Sequence, residues 1–85
     1  MPNKQYEKGR RKEYKIVHAE KDKGRIAFRS AGSHSPIDVV SIDVKNRKIF
    51  LIQSKPDSWT EHQIMKLLNE NEFFSGRYDA RFEVR

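Results

Sequence analysis

The sequence predicts a single small α/β domain, residues 1–85, whose central mixed β-sheet of about four strands is flanked by helices in the order α-β-β-β-α-β. Three observations predict it. Residues 6–23 contain no proline and one glycine and repeat with helical spacing. Ile37 to Val44 and Lys48 to Ser54 are rich in Val, Ile and Phe on either side of Lys45-Asn46-Arg47, the pattern of a β-hairpin. Tyr78, Ala80, Phe82 and Val84 alternate with charged residues, as in a strand with one wet face.

The first helix places Tyr6, Arg10, Glu13, Tyr14 and Val17 on one face and stops at Gly24. Arg25 to Ser30 then reads as a half-buried strand with Ile26 and Phe28 inward, and Ala31 to Pro36 as a turn-forming loop. Thr60-Glu61-His62-Gln63 fits a capping box, with Trp59 and Ile64 spaced as a hydrophobic staple, so a second helix is expected from about Glu61 to Glu70 with Ile64, Leu67 and Leu68 facing the sheet. Phe73 and Phe74 are expected in the core or at a dimer contact. Met1 to Gln5 are expected to lack fixed structure in the free protein.

The 18 Lys and Arg outnumber the 12 Asp and Glu, giving a net charge of +6. The surplus is localised: residues 1–29 hold ten basic and four acidic residues, whereas the remainder is balanced. That bias favours a polyanionic partner reached through the first helix. The absence of cysteine excludes disulfides, thiolate metal sites and cysteine nucleophiles. With no secretory h-region and no apolar run long enough for a membrane span, the chain is expected to be soluble and cytoplasmic, whether nucleoid-associated or viral in a host cell. His18, His34 and His62 lack zinc-ligand spacing, leaving surface or capping roles as their default.

Four motifs follow one another along the chain: Lys8-Gly9-Arg10-Arg11-Lys12-Glu13, Arg29-Ser30-Ala31-Gly32-Ser33, Asp38 after Ser35-Pro36-Ile37, and Gln53-Ser54-Lys55. In order and type they resemble the PD-(D/E)XK nuclease superfamily, and within it the archaeal-type Holliday junction resolvases, over residues 8–55. The resemblance implies a restriction-endonuclease-like fold and a Mg²⁺-dependent DNA endonuclease, with Mn²⁺ as a substitute. It further implies a homodimer that acts on branched DNA without a membrane partner and leaves 5′-phosphate and 3′-hydroxyl ends. Gln53 departs from the pattern, because it stands where the family carries a carboxylate.

The chemistry of phosphodiester hydrolysis assigns compatible roles. A negatively charged diester repels hydroxide, so a cation that neutralises the phosphate and acidifies a water lowers the barrier. Asp38 is the expected metal anchor, Gln53 offers a neutral carbonyl oxygen, and Glu13 approaches from the helix as a further ligand. Lys55 would orient the attacking water or offset charge on phosphorus, and Ser33 is an auxiliary contact. Lys8, Arg10, Arg11, Lys12 and Lys15 are expected to meet phosphates, joined on the loop by Arg29, Ser30 and His34; an ion pair within the fold competes for Arg29. Trp59 is expected to pack against the second helix, with stacking on an opened base as its other role.

The leading expectation is therefore a structure-selective endonuclease that resolves four-way junctions. A general DNA nickase or endonuclease of the same fold is one alternative. A DNA-binding module attenuated by Gln53 is another, and a small basic RNA-binding protein is the least specific.

Overall fold

A computed structural model describes residues 4–30 and 35–85, with side chains from Glu7 onward. Helix α1 (Lys4–Asp22) leads into strands β1 (Ile26–Arg29), β2 (Val39–Asp43) and β3 (Lys48–Ile52), followed by α2 (Glu61–Glu70) and a 3-10 turn at Glu72–Phe74. Lys4 and Gln5 belong to α1 and so depart from the expected unstructured start, while 1–3 lie outside the described residues. Among the described residues no helix is long and apolar enough to cross a membrane.

The end of α1 sets the layout. Gly24 takes a φ of 84°, its N–H donates to the Lys21 carbonyl at 2.9 Å, and Arg25 N–H reaches back to Glu20 at 3.2 Å. This is a Schellman closure, and a left-handed residue at that position favours glycine. It reverses the chain so that β1 returns beneath the helix. Glu20, only 6% exposed, locks the reversal by accepting from Arg25 Nη1 at 2.7 Å and Lys23 Nζ at 3.0 Å. Arg25 also stacks 4.5 Å from the Phe50 ring centroid and lies 3.9 Å from Asp43, so one guanidinium touches α1, the end of β2 and β3.

The sheet is a three-stranded antiparallel meander in the order β1-β2-β3. The register pairs Ala27 with Ser41 and Ser41 with Phe50; one step of alternation further, Arg29 faces Val39 and Val39 faces Ile52. On that side α1 lays Val17 over Ala27 and Val39, with Ile16 and Ile52 packed around them. Fully buried Ser41 lies beside Glu20. Small residues here let the helix approach closely, which explains a reversal of the expected β1 facing: Ala27 is inside, and bulky Ile26 and Phe28 lie on the opposite, exposed side. Tyr14 likewise leaves the buried face of α1, which runs through Glu13, Ile16, Val17 and Glu20.

The hairpin forms as expected, with a four-residue connection from Val44 to Arg47. Asp43 caps it by accepting from Asn46 N–H at 3.1 Å and Asn46 Nδ2 at 2.9 Å, which holds the Asp43 carboxyl below its ordinary range. The ladder is shorter than the apolar runs suggest: β2 starts at Val39 and β3 ends at Ile52, so Gln53, Ser54 and Lys55 follow the strand instead of lying in it.

Two expectations fail beyond β3. Helix α2 carries the full capping box, Thr60 N–H to Gln63 Oε1 at 2.8 Å and Gln63 N–H to Thr60 Oγ1 at 3.2 Å, yet buries no residue. Ile64 and Leu68 are exposed and Leu67 is half-buried, because a cavity separates the helix from β3. Residues 77–85 form no strand, so the sheet has three strands instead of about four and is antiparallel instead of mixed. Alternation supplies a pattern, but a strand also needs an edge to pair with; here Phe82 stays 96% exposed.

Glu20→Gln is expected to cost about 2 kcal/mol at pH 7, the worth of hydrogen bonds to a charged group. The Lys23 hydrogen bond, then Arg25, hold the Glu20 carboxyl below its ordinary value, against the opposing effect of burial. Its stabilisation is therefore complete above that value and lost as pH falls through the lowered folded value. Thermal melts from neutral to acidic pH should show a steeper acid loss in wild type than in Glu20→Gln; identical acid limbs would remove Glu20 from the supports of the fold.

Candidate functional site

The end of the sheet distal to Gly24 is assembled around Asp38. Its N–H donates to the Ile52 carbonyl at 2.8 Å and its carbonyl accepts from Ser30 N–H at 2.9 Å, tying together the ends of all three strands. The side chain then crosses to the chain leaving β3, where Oδ2 accepts from Ser54 N–H at 2.8 Å. Asp38 and Gln53 stand one position beyond the Val39–Ile52 pair, so the ladder register brings the acid and the amide to facing positions. Half-buried Asp38 is oriented by backbone through that hydrogen bond.

Helix α1 crosses above this end. Lys8, Arg11, Lys12 and Lys15 recur at helical spacing, and with Arg10 they form one wall of an open groove of about 1380 Å³. Glu13, Asp38, Gln53 and Lys55 line the same groove. Four residues from three separated segments are thus brought to one concavity, together with the basic residues expected on the helix. Six Lys and Arg line it against three carboxylates, those of Glu13, Asp38 and Asp57, so the groove is net positive.

Individual charges are already engaged. Glu13 Oε2 lies 3.4 Å from Arg29 Nη2, both side chains largely buried. Arg29 Nη1 also donates to the Tyr14 hydroxyl at 3.3 Å, with its guanidinium 4.8 Å from that ring's centroid. Hydrogen bonding from Arg10, then Arg29, lowers the Tyr14 phenol pKa. Arg29 therefore sits behind Glu13 and does not line the groove, as the competing ion-pair role anticipates. Ser30 contributes its backbone N–H and is likewise absent from the wall. Ser33 and His34 lie outside the described residues.

Lys12 carries a role that sequence spacing does not reveal. Its Nζ donates to the Lys55 carbonyl and, at 2.7 Å, to Asp57 Oδ1, bridging α1 to the segment after β3. That hydrogen bond holds the Asp57 carboxyl below its ordinary range. Lys55 Nζ lies 5.1 Å from the Trp59 ring centroid, a cation–π contact. Trp59, expected to pack on α2, makes this contact with Lys55. Neither Asp57 nor the Ser54 N–H carries a sequence signal for these contacts.

The donor set suits a hard divalent cation in kind, being composed of oxygen, and is weak in charge. Asp38 is the anchored carboxylate, Gln53 is neutral, and Glu13 is paired with Arg29. Among the described residues no group of three or more His, Cys, Asp or Glu converges. No family model matches the chain, and no curated protein or solved structure matches it significantly.

Asp38→Asn and Asp38→Ala separate support from chemistry. An amide oxygen can still accept from Ser54 N–H, so Asp38→Asn should melt close to wild type, whereas Asp38→Ala leaves that half-buried donor without its partner and should cost about 1–2 kcal/mol. Equal loss in both variants would mean that the negative charge itself holds the strand ends.

Proposed function

We propose that this chain is a metal-dependent, structure-selective DNA endonuclease that hydrolyses phosphodiester bonds in four-way junctions. The observation carrying this reading is the convergence of Glu13, Asp38, Gln53 and Lys55 on one basic groove. The α-β-β-β-α order and the placement of Glu13, Asp38, Gln53 and Lys55 around one end of the sheet support a restriction-endonuclease-like fold.

In this reading Lys8, Arg10, Arg11 and Lys15 engage the sugar-phosphate backbone, where displaced counterions make affinity fall with salt. Phosphate contacts set position and orientation without reading bases, so selectivity comes from branch shape. Asp38, with one oxygen held by Ser54 N–H, lines the groove, where Asp38, the Gln53 carbonyl and Glu13 would hold Mg²⁺ or Mn²⁺. A bound divalent ion supplies charge neutralisation at the phosphate and acidifies a water. Lys55 offsets negative charge developing on the diester. Lys12 remains with Asp57 and fixes the backbone carrying Lys55. A two-fold dimer would present two such grooves to opposing strands, as paired nicking of a junction requires; the exposed Ile26 and Phe28 give it apolar surface to bury.

A second reading is favoured by the neutral Gln53 and by the Glu13–Arg29 pair: a DNA-binding module of the same fold with attenuated catalysis. Cleavage of end-labelled junction, linear duplex and single-stranded DNA in Mg²⁺, Mn²⁺ or EDTA tests both. Metal-dependent paired nicking of the junction, abolished in Asp38→Asn, is expected; cutting of linear DNA as well would assign a general nickase, and binding without cleavage the attenuated module. Gln53→Glu should raise divalent-ion affinity and cleavage at least about tenfold, since it restores an anionic ligand. No change in either would end the assignment of Gln53 to the metal site.

Lys15→Ala should reduce the slope of log affinity against log salt by about one and weaken every DNA form to a similar extent. An unchanged slope would place the backbone elsewhere on the molecule.

A further inference from the structure

The basic groove continues into a second space of different chemistry. A cavity of about 730 Å³ lies between the end of β3 and α2, and Lys12, Gln53 and Lys55 belong to the walls of both. On the groove side these residues join the cations of α1; on the cavity side they meet Trp59, Phe74 and Tyr78 and the apolar side chains of Leu51 and Leu67. Lys55 marks the seam, with its ammonium 5.1 Å from the Trp59 ring centroid. The volume is that of a ligand pocket, commonly about 300–1,000 Å³.

A strand nucleotide has the same division, with an anionic phosphate on one side of the sugar and a flat apolar base on the other. Stacked and paired within a duplex, the base cannot leave its neighbours without losing that stacking. In an unpaired strand it is free to turn onto an aromatic platform. We infer that the cavity receives an unstacked base of single-stranded DNA, with Trp59 as its platform, while the adjoining phosphates lie in the groove. Helix α2 leaves Ile64 and Leu68 exposed beside this space. The cavity is continuous with a net positive surface, so a strand held by its phosphates carries its bases to the cavity wall. This deepens the nuclease reading and rests on its groove: the preferred substrate has unpaired nucleotides next to the cleaved diester, as at an open branch point.

Trp59 is the single tryptophan of the chain, so its emission reports on the cavity wall and on the Lys55 ammonium beside it. In EDTA and low salt, wild-type protein is titrated with oligothymidylate, with an abasic oligomer of the same phosphate count, and with linear duplex. Oligothymidylate should quench the emission and bind at least about fivefold more tightly than the abasic oligomer, the lower bound for one base stacked on an aromatic ring. The abasic oligomer and duplex should bind by charge and change the emission far less than oligothymidylate does, through Lys55 alone. Tyr78→Ala, a change at an exposed side chain, should retain the circular dichroism and abasic affinity of wild type while bringing the affinity ratio toward one. Equal binding of all three ligands with the same change in emission would leave the groove standing and overturn the base pocket, as would a cavity closed by α2 in solution. Failure of every ligand to bind would overturn the groove and the pocket together.

Discussion

The ion pair between Glu20 and Arg25 is the constraint on which the rest of this structure depends. With Gly24 between them, it turns the chain after α1 so that the helix lies across the sheet, and it brings Arg25 to Asp43 and Phe50 at the far side of the hairpin. The apolar core beneath is slight, with Val17, Ala27 and Val39 buried among the described residues. Burial at about 25 cal/mol per Å² gives three small side chains limited authority over the helix angle. A nearly buried carboxylate held by two cations has more, because misalignment would leave its charge in a poorly solvated site. The angle set there determines where Glu13 and the basic row of α1 arrive, two turns away over the opposite end of the sheet.

Sequence periodicity made the local elements legible. Gly24 and Thr60-Gln63 announced one helix end and one helix start through backbone chemistry contained within a few residues, and both formed as expected. The hairpin was equally local. Facing was less legible: Ile26 and Phe28 are more apolar than Ala27, but close packing of a helix selects for small side chains as well as hydrophobic ones. The last segment has a strand's alternation without a paired neighbour, so its pattern could not decide its structure.

The site divides in the same way. The clustering of Lys8, Arg10, Arg11, Lys12 and Lys15 around Glu13 on one helix, and the order of motifs that follows it, pointed to residues that the structure lines along one groove with Asp38, Gln53 and Lys55. Contacts between distant segments were hidden. Asp57 accepts from Lys12 and Asp38 accepts from Ser54 N–H, each through a residue type too common to stand out in a sequence. Arg29 illustrates the limit: a basic residue in a loop motif is equally suited to phosphate or to a carboxylate, and proximity to Glu13 decides for the latter.

That last contact gives Glu13 a resident counter-ion. Any cation entering beside it would compete with a guanidinium that is tethered, always charged and already partly desolvated. Occupancy would be an exchange, with release of Arg29 as its cost, and its steepness would depend on how readily Tyr14 retains the freed side chain. The groove would then behave as an ion exchanger with a built-in competitor, admitting a strongly held ion while resisting casual occupancy by weaker ones.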